Sequence, residues 1–467
     1  MAMVSVERAS FVNESEISQA MGQGGAGDPG RVRDILAKAR ELHGLNLSEV
    51  AALSAVADPA LMEEVFATAR WVKEEIYGRR LVFFAPLYIS NLCRNECLYC
   101  AFRRSNKAVK RRVLTQEEIA RETRALINQG HKRVLVVAGE SYPGNSFQYV
   151  LDSIATVYSV KEGNGEIRRL NANIAPLAED EFRLLKEAGI GTFQLFQETY
   201  HRDTYARVHR SGPKTDFDWR ATGMDRAMRA GIDDVGVGVL FGLFDWRFEI
   251  LALMQHIRHL EQTFGVGCHT ISVPRLEPAV GSDMATSPPC PVADADFKKI
   301  VAVLRLAVPY TGLIMSTRES APMRRETYAL GVSQISAGSR TNPGGYEEDE
   351  EFESSQFQLG DHRPLPEVIR DISDMGYIPS FCTACYRLGR TGQDFMDLAK
   401  PGLIKEKCAP NALSTFEEYL LDYAPAEVRE AGEAAIDREL SDMPPRIARV
   451  SEAMLDKVRA GKRDVFC

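Results

Sequence analysis

Six of the nine cysteines in this 467-residue chain fall into two tight sets. Cys93, Cys97 and Cys100 have the spacing CX3CX2C, and Cys382, Cys385 and Cys408 the spacing CX2CX22C. Three thiolates on a short loop can hold three irons of a [4Fe–4S] cubane and leave the fourth iron open to a chelating substrate or cofactor. A cluster used only for electron transfer normally takes four cysteines. Zinc on three thiolates is the plainer alternative. Position favours the open cluster, because the loop follows the first expected strand and barrel enzymes build their chemistry at strand C-terminal ends. The second set has no histidine nearby in sequence. Its CX2C also reads as a redox pair or half a zinc site, a second open cluster is an equal reading, and Cys467 is available as a fourth ligand.

These residues need a scaffold, and the composition bounds it. A net charge of −8 and a pI near 5.7 argue against a general nucleic-acid or anionic-membrane binder, which needs a positive field. Hydrophobic residues at 45% and charged residues at 26% suit a folded globular protein. No apolar run reaches the roughly 18 residues of a membrane span. MAMVSVERASFVNESEISQAMG lacks the basic and apolar regions of a secretory signal. A cytoplasmic protein is expected, and clustered thiols in that reducing compartment read as metal ligands or redox groups rather than disulfides.

GQGGAGDPG, residues 22–30, reads as a flexible lead-in. Residues 31–78 carry helical periodicity, giving an N-terminal helical segment over residues 1–80. β-rich runs then follow at 81–90, 132–140, 168–176, 192–199, 234–242, 269–278, 312–319 and 332–339, with amphipathic stretches between them. This repeat predicts an α/β fold, a (β/α)8 TIM barrel over residues 81–340. The lack of GxGxxG after the first strand disfavours a doubly wound sheet. TNPGGYEEDEEFESSQFQLGDHRP, residues 341–364, reads as a long, partly mobile surface loop. It opens a mostly helical C-terminal domain, residues 341–467, that carries the second cysteine set.

CRNECLYCAFRRSN, at a strand end, resembles the radical S-adenosylmethionine (SAM) superfamily. The resemblance implies a [4Fe–4S] cluster whose open iron is chelated by the amino and carboxylate groups of SAM. Electron transfer then breaks the S–C5′ bond and makes a 5′-deoxyadenosyl radical. It also implies SAM contacts: Gly139 and Glu140 at the end of the second strand, Glu198 at the end of the fourth, and Arg220 before the fifth, its fork on the SAM carboxylate. An ordinary surface or loop charge is the bland alternative for each.

A radical SAM barrel followed by CX2CX22C is similar to the tyrosine lyases that mature [FeFe]-hydrogenase. The likeness runs from about residue 31 to the C-terminus, through EEIYGRRLVFFAPLYISN, GHKRV, FQETYHR, MDRAMRAGIDDVGVGVLFGL, HTISVPR, AVPYTG, QISAGS, GYIPSFCTACYRLGRTG and GKRDVF. It implies hydrogen abstraction from tyrosine, cleavage of its Cα–Cβ bond, and p-cresol and dehydroglycine as products, the latter yielding carbon monoxide and cyanide. It further implies an auxiliary [4Fe–4S] cluster with an additional iron held by a cysteine molecule and a histidine. That iron leaves as an Fe(CO)2(CN)–cysteine unit for the hydrogenase H-cluster. The histidine would be His269 in GVGCHTISVPR, at the start of strand six and so at the opposite mouth, with the small product passing through the barrel. A core or capping histidine is the bland alternative. Cys268 departs from that pattern, as an extra thiol ligand or an oxidation-sensitive site, and Cys290 and Cys467 are unassigned. Arg318 in IMSTRES, or Arg275 in SVPR, would take the tyrosine carboxylate, with related lyases favouring Arg318; either could instead pair with a barrel carboxylate. Tyr88, Tyr99 and Phe196 are expected to pack in the core.

Three rivals share parts of this pattern. A 2-iminoacetate synthase of thiamine biosynthesis has the barrel and first reaction but lacks the C-terminal cysteines. A paralogue cleaving another amino acid keeps both sets, and an iron–sulfur scaffold would need no SAM contacts. The implied partners are tyrosine, SAM, cysteine, an electron donor such as ferredoxin or flavodoxin, and the other hydrogenase maturases; nucleic acid and membrane are not expected.

Overall fold

The structure is a computed structural model and describes residues 7–23, 28–348 and 354–467. The middle of the glycine-rich lead-in and the centre of the acidic loop lie outside these residues, as does the mobility expected of the loop.

Eight parallel strands pair in chain order: β1 (Arg80–Ser90), β2 (Arg133–Ala138), β3 (Arg169–Asn173), β4 (Phe193–Glu198), β5 (Val235–Val239), β6 (Thr270–Ser272), β7 (Gly312–Met315) and β8 (Val332–Ser336). β8 closes onto β1, with Val82, Phe83 and Phe84 opposite Gln334, Ile335 and Ser336. The sheet is therefore a closed (β/α)8 barrel, each strand lying within an expected run, apart from Arg80 at the start of β1. Alternation sets the layers along β1. Leu81, Phe83, Ala85, Leu87 and Ile89 are fully buried in the main core cluster, each contributing roughly 1.5–3 kcal/mol of burial for the larger side chains. Phe84, Pro86 and Tyr88 line the interior toward one mouth, and Arg80 and Val82 toward the other.

Local chemistry starts the helices where the sequence expects them. Thr115 and Glu118 form a capping box ahead of Gln116–Asn128, and Asp58 accepts from Leu61 N–H ahead of Pro59–Tyr77. The stretch WRATGMDRAMRAG breaks at Thr222 into Phe217–Ala221 and Gly223–Arg229. An N-terminal helix, Glu14–Gln23, precedes the expected helical region. The Phe11 ring just before it stacks on His256 and His259 of the barrel helix Trp246–Phe264.

Two expectations need correction. The C-terminal region, expected to be mostly helical, also holds a ninth strand, β9 (Ile378–Ser380), followed by a loop and the short helices Ala384–Arg387 and Gly392–Ala399. β9 pairs in parallel with the first residues of β1, Arg80 opposite Ile378. Three residues with a proline leave almost no alternating signal, and Pro379 is tolerated because β9 is an edge strand. The acidic loop, in turn, is not confined to the surface. Residues 341–345 are buried, the Tyr346 hydroxyl donates to Pro86 O at 2.7 Å, and Tyr346 and Glu347 N–H donate to Glu122. The buried Glu122 carboxylate is what draws this acidic segment inward.

Four helices, Leu365–Asp374, Ile404–Asp422, Ala426–Asp442 and Pro445–Arg459, complete the C-terminal region. Arg168, just ahead of β3, locks them to the barrel: it meets Glu418 at 2.8 Å with both side chains out of solvent, and Asp464 at 3.4 Å. No helix among the described residues is long and apolar enough to cross a membrane. Glu418→Ala should cost about 3–5 kcal/mol by leaving Arg168 buried and underpaired, read from the urea midpoint. A loss below about 1 kcal/mol would mean that Asp464 alone satisfies Arg168.

Candidate active site and second cysteine site

Cys93, Cys97 and Cys100 sit on the loop that leaves β1 and line a cavity of about 190 Å³ at the C-terminal mouth of the barrel. Gly139, Glu140, Glu198, Arg220 and Arg318 line the same cavity. Burial raises all three thiols above their ordinary range, Cys93 to about 11.

The charged wall is a closed network. Arg220 Nη1 donates to Glu140 Oε1 at 2.9 Å and its Nε donates to Phe196 O at 2.7 Å, while its Nη2 stands 3.5 Å from Glu198. Asn95 Nδ2, from the cysteine loop itself, donates to Glu140 Oε2 at 2.6 Å. Lys214 Nζ donates to Glu198 Oε1 at 2.6 Å. The Arg220 and Lys214 cations hold the Glu140 carboxyl below its usual range against the opposing cost of burial. A pairing irregularity between Phe196 and Glu198 leaves Glu198 at φ 72, unusual for a non-glycine residue, and turns its carboxylate into the cavity. Gly139 serves by lacking a side chain: a Cβ there would lie 2.1 Å from Leu92 O.

Arg318 and Arg275 separate cleanly. Arg275 is committed to Glu319, Asp294 at 2.8 Å and Val292 O at 3.0 Å. Arg318 lies over the Phe357 ring, touches only Arg275 O at 3.5 Å, and has no ion pair among the described residues. Burial lowers its pKa. Glu277, pushed up to about 7 mainly by burial, lines the same wall. Tyr88 donates to Gln356 Oε1 at 2.7 Å and Gln356 Nε2 lies 3.8 Å from Cys100 Sγ, so the acidic loop reaches the cysteines. Tyr99 packs against His209, 2.8 Å from its Nε2. Tyr88 and Tyr99 are buried as expected, whereas Phe196 is only half-buried and is not part of the core, and all three face the cavity.

The second set gathers at the N-terminal mouth. Cys382 follows β9, Cys385 lies in Ala384–Arg387 and Cys408 in Ile404–Asp422, and all three line a cavity of about 60 Å³ with His269, Arg80 and Arg133. The Cys385 and Cys408 thiols are close enough to share a proton, which raises Cys385 and lowers Cys408. His269 lies 3.6 Å from Asp234 and 3.4 Å from the Tyr386 hydroxyl, with Phe395 against its ring. Burial lowers its pKa, so the imidazole is neutral and its Nδ1 has no hydrogen-bond partner. A neutral imidazole is the form that binds metals. Cys268 is buried in the main core and does not line the cavity. Cys290, anchored by N–H donation to Gly242 O, lies away from both sets. Cys467 is pinned by Arg390 and Asn411 beside Cys408, outside the cavity lining.

Both sets fit iron–sulfur clusters by donor chemistry: three thiols each, one buried and two half-buried, beside a cavity, with one neutral imidazole at the second. Among the described residues no three Cys, His, Asp or Glu side chains converge as one mononuclear ion requires. Three thiolates on separate irons of a cubane need no such convergence. Sequence reasoning missed Lys214, Asn95, Gln356, Asp234 and Tyr386. Only the glycine–proline turn before Lys214 and the asparagine inside the cysteine loop gave any local signal.

The radical SAM superfamily model matches residues 87–255, and the Biotin and Thiamin Synthesis associated domain matches residues 272–378. A crystal structure of HydG, a maturase of the [FeFe]-hydrogenase, is 48% identical, covers 98% of this chain and all of its own, and superposes with a TM-score of 0.95. The chain belongs to the HydG family. HydG from Carboxydothermus hydrogenoformans is 41% identical, over 95% of this chain and 98% of its own, with a TM-score of 0.84. The 2-iminoacetate synthase of Escherichia coli (strain K12) is 34% identical over 75% of this chain and 90% of its own. The chain is thus a radical SAM enzyme, for which a [4Fe–4S] cluster with SAM and an electron donor are implied.

Gly139→Ala should displace the cysteine loop at Leu92. After anaerobic reconstitution the variant should hold iron for about one cluster rather than two, with an unchanged circular dichroism spectrum. Full iron loading with normal SAM cleavage would show that the loop yields without cost.

Proposed function

We propose that this HydG-family enzyme is a tyrosine lyase that makes p-cresol and dehydroglycine, and that the latter supplies carbon monoxide and cyanide to an iron unit built at the second site. The observation that carries the reading is the pair of three-cysteine sets at opposite mouths of one closed barrel, the second with a neutral histidine in its cavity.

Cys93, Cys97 and Cys100 would hold the first [4Fe–4S] cluster. When loaded, that cluster supplies an electron to SAM, whose S–C5′ cleavage gives the radical that opens the reaction on tyrosine. Glu140 and Glu198 would meet the positive charge of SAM and Arg220 would take its carboxylate, with Gly139 keeping the cysteine loop close. Arg318, half-buried and without a carboxylate partner among the described residues, takes the tyrosine carboxylate. A desolvated guanidinium gains more from that contact than an exposed one. Phe357 and Gln356 close the wall against water.

Cys382, Cys385 and Cys408 would hold the auxiliary [4Fe–4S] cluster. His269 and a bound cysteine hold the additional iron, which is cargo and leaves as the Fe(CO)2(CN)–cysteine unit for the other hydrogenase maturases. Asp234, 3.6 Å from Nδ1, and the Tyr386 hydroxyl, 3.4 Å from Nε2, flank the imidazole. The interior between the sites is polar and narrow-walled: Gln194 reaches one cavity and Gln334 the other, and Gly236 sits against Thr270 and Gln194 where a larger residue would fill the barrel. A small polar product suits that passage. The competing reading, a 2-iminoacetate synthase-type lyase, rests on the 34% identity but leaves a quarter of the chain unmatched.

Arg318→Ala should raise KM for tyrosine by roughly ten- to a hundredfold, the loss of one charged hydrogen-bond pair at about 1.5–3 kcal/mol, with SAM affinity unchanged. An unchanged KM would move the tyrosine carboxylate elsewhere. Cys382→Ala with Cys385→Ala should retain p-cresol formation in the anaerobic enzyme while carbon monoxide release is lost. Loss of both products would refute the division of labour between the mouths, and no p-cresol from wild type despite SAM cleavage would exclude tyrosine as substrate.

A further inference from the structure

Five cations crowd the outside of the first cysteine loop without a use in the fold. Arg94, Arg104, Lys107, Lys110 and Arg210 are exposed, and their side chains make no hydrogen bond or ion pair among the described residues. Backbone bonds hold their segments together. Arg104 N–H donates to Asn95 O at 2.9 Å, Arg210 N–H to Glu96 O at 3.0 Å, and Glu96 N–H to Ser211 O at 2.9 Å. Asn106 Nδ2, beside Lys107, donates to Ala101 O, and Asn91 Nδ2 donates to Lys110 O, both at 2.8 Å.

The other basic residues of the RRSNKAVKRR run are consumed internally. Arg103 takes Gly281 O and Glu96, Arg111 takes Asn91 O and Phe102 O, and Arg112 pairs with Glu118 and Glu348. Adjoining carboxylates are engaged as well: Glu96 by Arg103 and Ser105, Glu140 by Arg220, and Asp216 by Trp219 N–H. Asp283, exposed two residues beyond Gly281, is the exception. A chain of net charge −8 thus sets unpaired positive charge, at a cost in mutual repulsion, over the loop that carries Cys93, Cys97 and Cys100.

We propose that Arg94, Arg104, Lys107, Lys110 and Arg210 form the docking surface for an acidic one-electron carrier protein. The inference rests on the reading of the first cysteine set as the SAM-cleaving site. In the docked pair the carrier is oxidised by one electron and the [4Fe–4S] cluster that Cys93, Cys97 and Cys100 would hold is reduced by one; no bond forms or breaks and no proton moves. Complementary charge of this kind steers encounter and is weakened by salt.

The test uses reconstituted holoenzyme and purified reduced flavodoxin, comparing wild type with Arg94→Glu/Arg104→Glu/Arg210→Glu and with Lys107→Glu/Lys110→Glu. Flavodoxin oxidation is followed by stopped-flow absorbance, and SAM cleavage is measured separately with dithionite. Wild-type oxidation of flavodoxin should slow as salt rises. The charge-reversed variants should be slower at low salt by about tenfold or more, with a flatter salt dependence, while dithionite-driven cleavage stays within about twofold. Flavodoxin rates equal to wild type overturn the docking surface. A parallel loss with dithionite also overturns it, assigning these cations to holding the loop. Absence of dithionite-driven SAM cleavage in the wild type refutes the site reading itself.

Discussion

Strand β1 is the constraint on which both ends of the molecule depend. Its eleven residues hydrogen-bond to three neighbours: β2 along the second half, β8 in the middle, and β9 at the start. The β8 contact closes the barrel. The β9 contact brings Cys382 to the N-terminal mouth, since β9 ends at Ser380. The far end of β1 passes directly into the loop of Cys93, Cys97 and Cys100. The two cysteine sets therefore take their separation and orientation from one rigid, fully paired strand, and its outward side chains anchor that strand in the main core.

The legible parts of the sequence are those with local pattern. The eight strand runs and the amphipathic stretches between them carry the pattern, so the barrel follows from hydrophobic period alone. The cysteines advertise themselves by spacing, and each set is found lining one cavity. His269 was placed at the opposite mouth from the strand reading, because a residue at the start of a barrel strand must face away from the strand-end loops. Illegible parts depend on partners far apart in the chain. β9 is too short to show a period. Gln356 and Phe357 reach the first site only because Glu122 accepts two backbone N–H groups of an acidic loop that otherwise reads as solvated. Lys214 and Asp234 are single charges whose meaning comes from the carboxylate and the imidazole they meet after folding.

The mouths differ in how charge is balanced. At the C-terminal mouth, Glu140 and Glu198 face Arg220 and Lys214 in one hydrogen-bonded set, and Arg318 stands apart from it. That arrangement gives a zwitterionic ligand partners of both signs and keeps a separate cation for a second carboxylate. Arg275 shows what an arginine looks like there when the fold has used it: two carboxylates and a carbonyl already in contact. The contrast between two arginines just beyond neighbouring strands is what makes Arg318 informative, since a partly desolvated guanidinium without a counter-ion gains most when a ligand supplies one.

At the N-terminal mouth the balance is reversed. Arg80, Arg133 and Arg169 converge there, each with an Nε lacking a hydrogen-bond partner, and Asp234 is the carboxylate among them. Arg133 spends one donor on Cys382 O, within the cysteine loop itself. Arg80 and Arg133 oppose the rise that burial gives the Cys382 thiol, which still lies at about 11. Three cysteines held as thiolates by a bound cluster would supply the negative charge that these guanidiniums lack. Burial lowers the proton affinity of His269, and Arg169, Arg133 and Arg80 add to that effect while Asp234 opposes it. Desolvation and the surrounding guanidiniums together therefore favour the neutral imidazole, the form able to bind a metal.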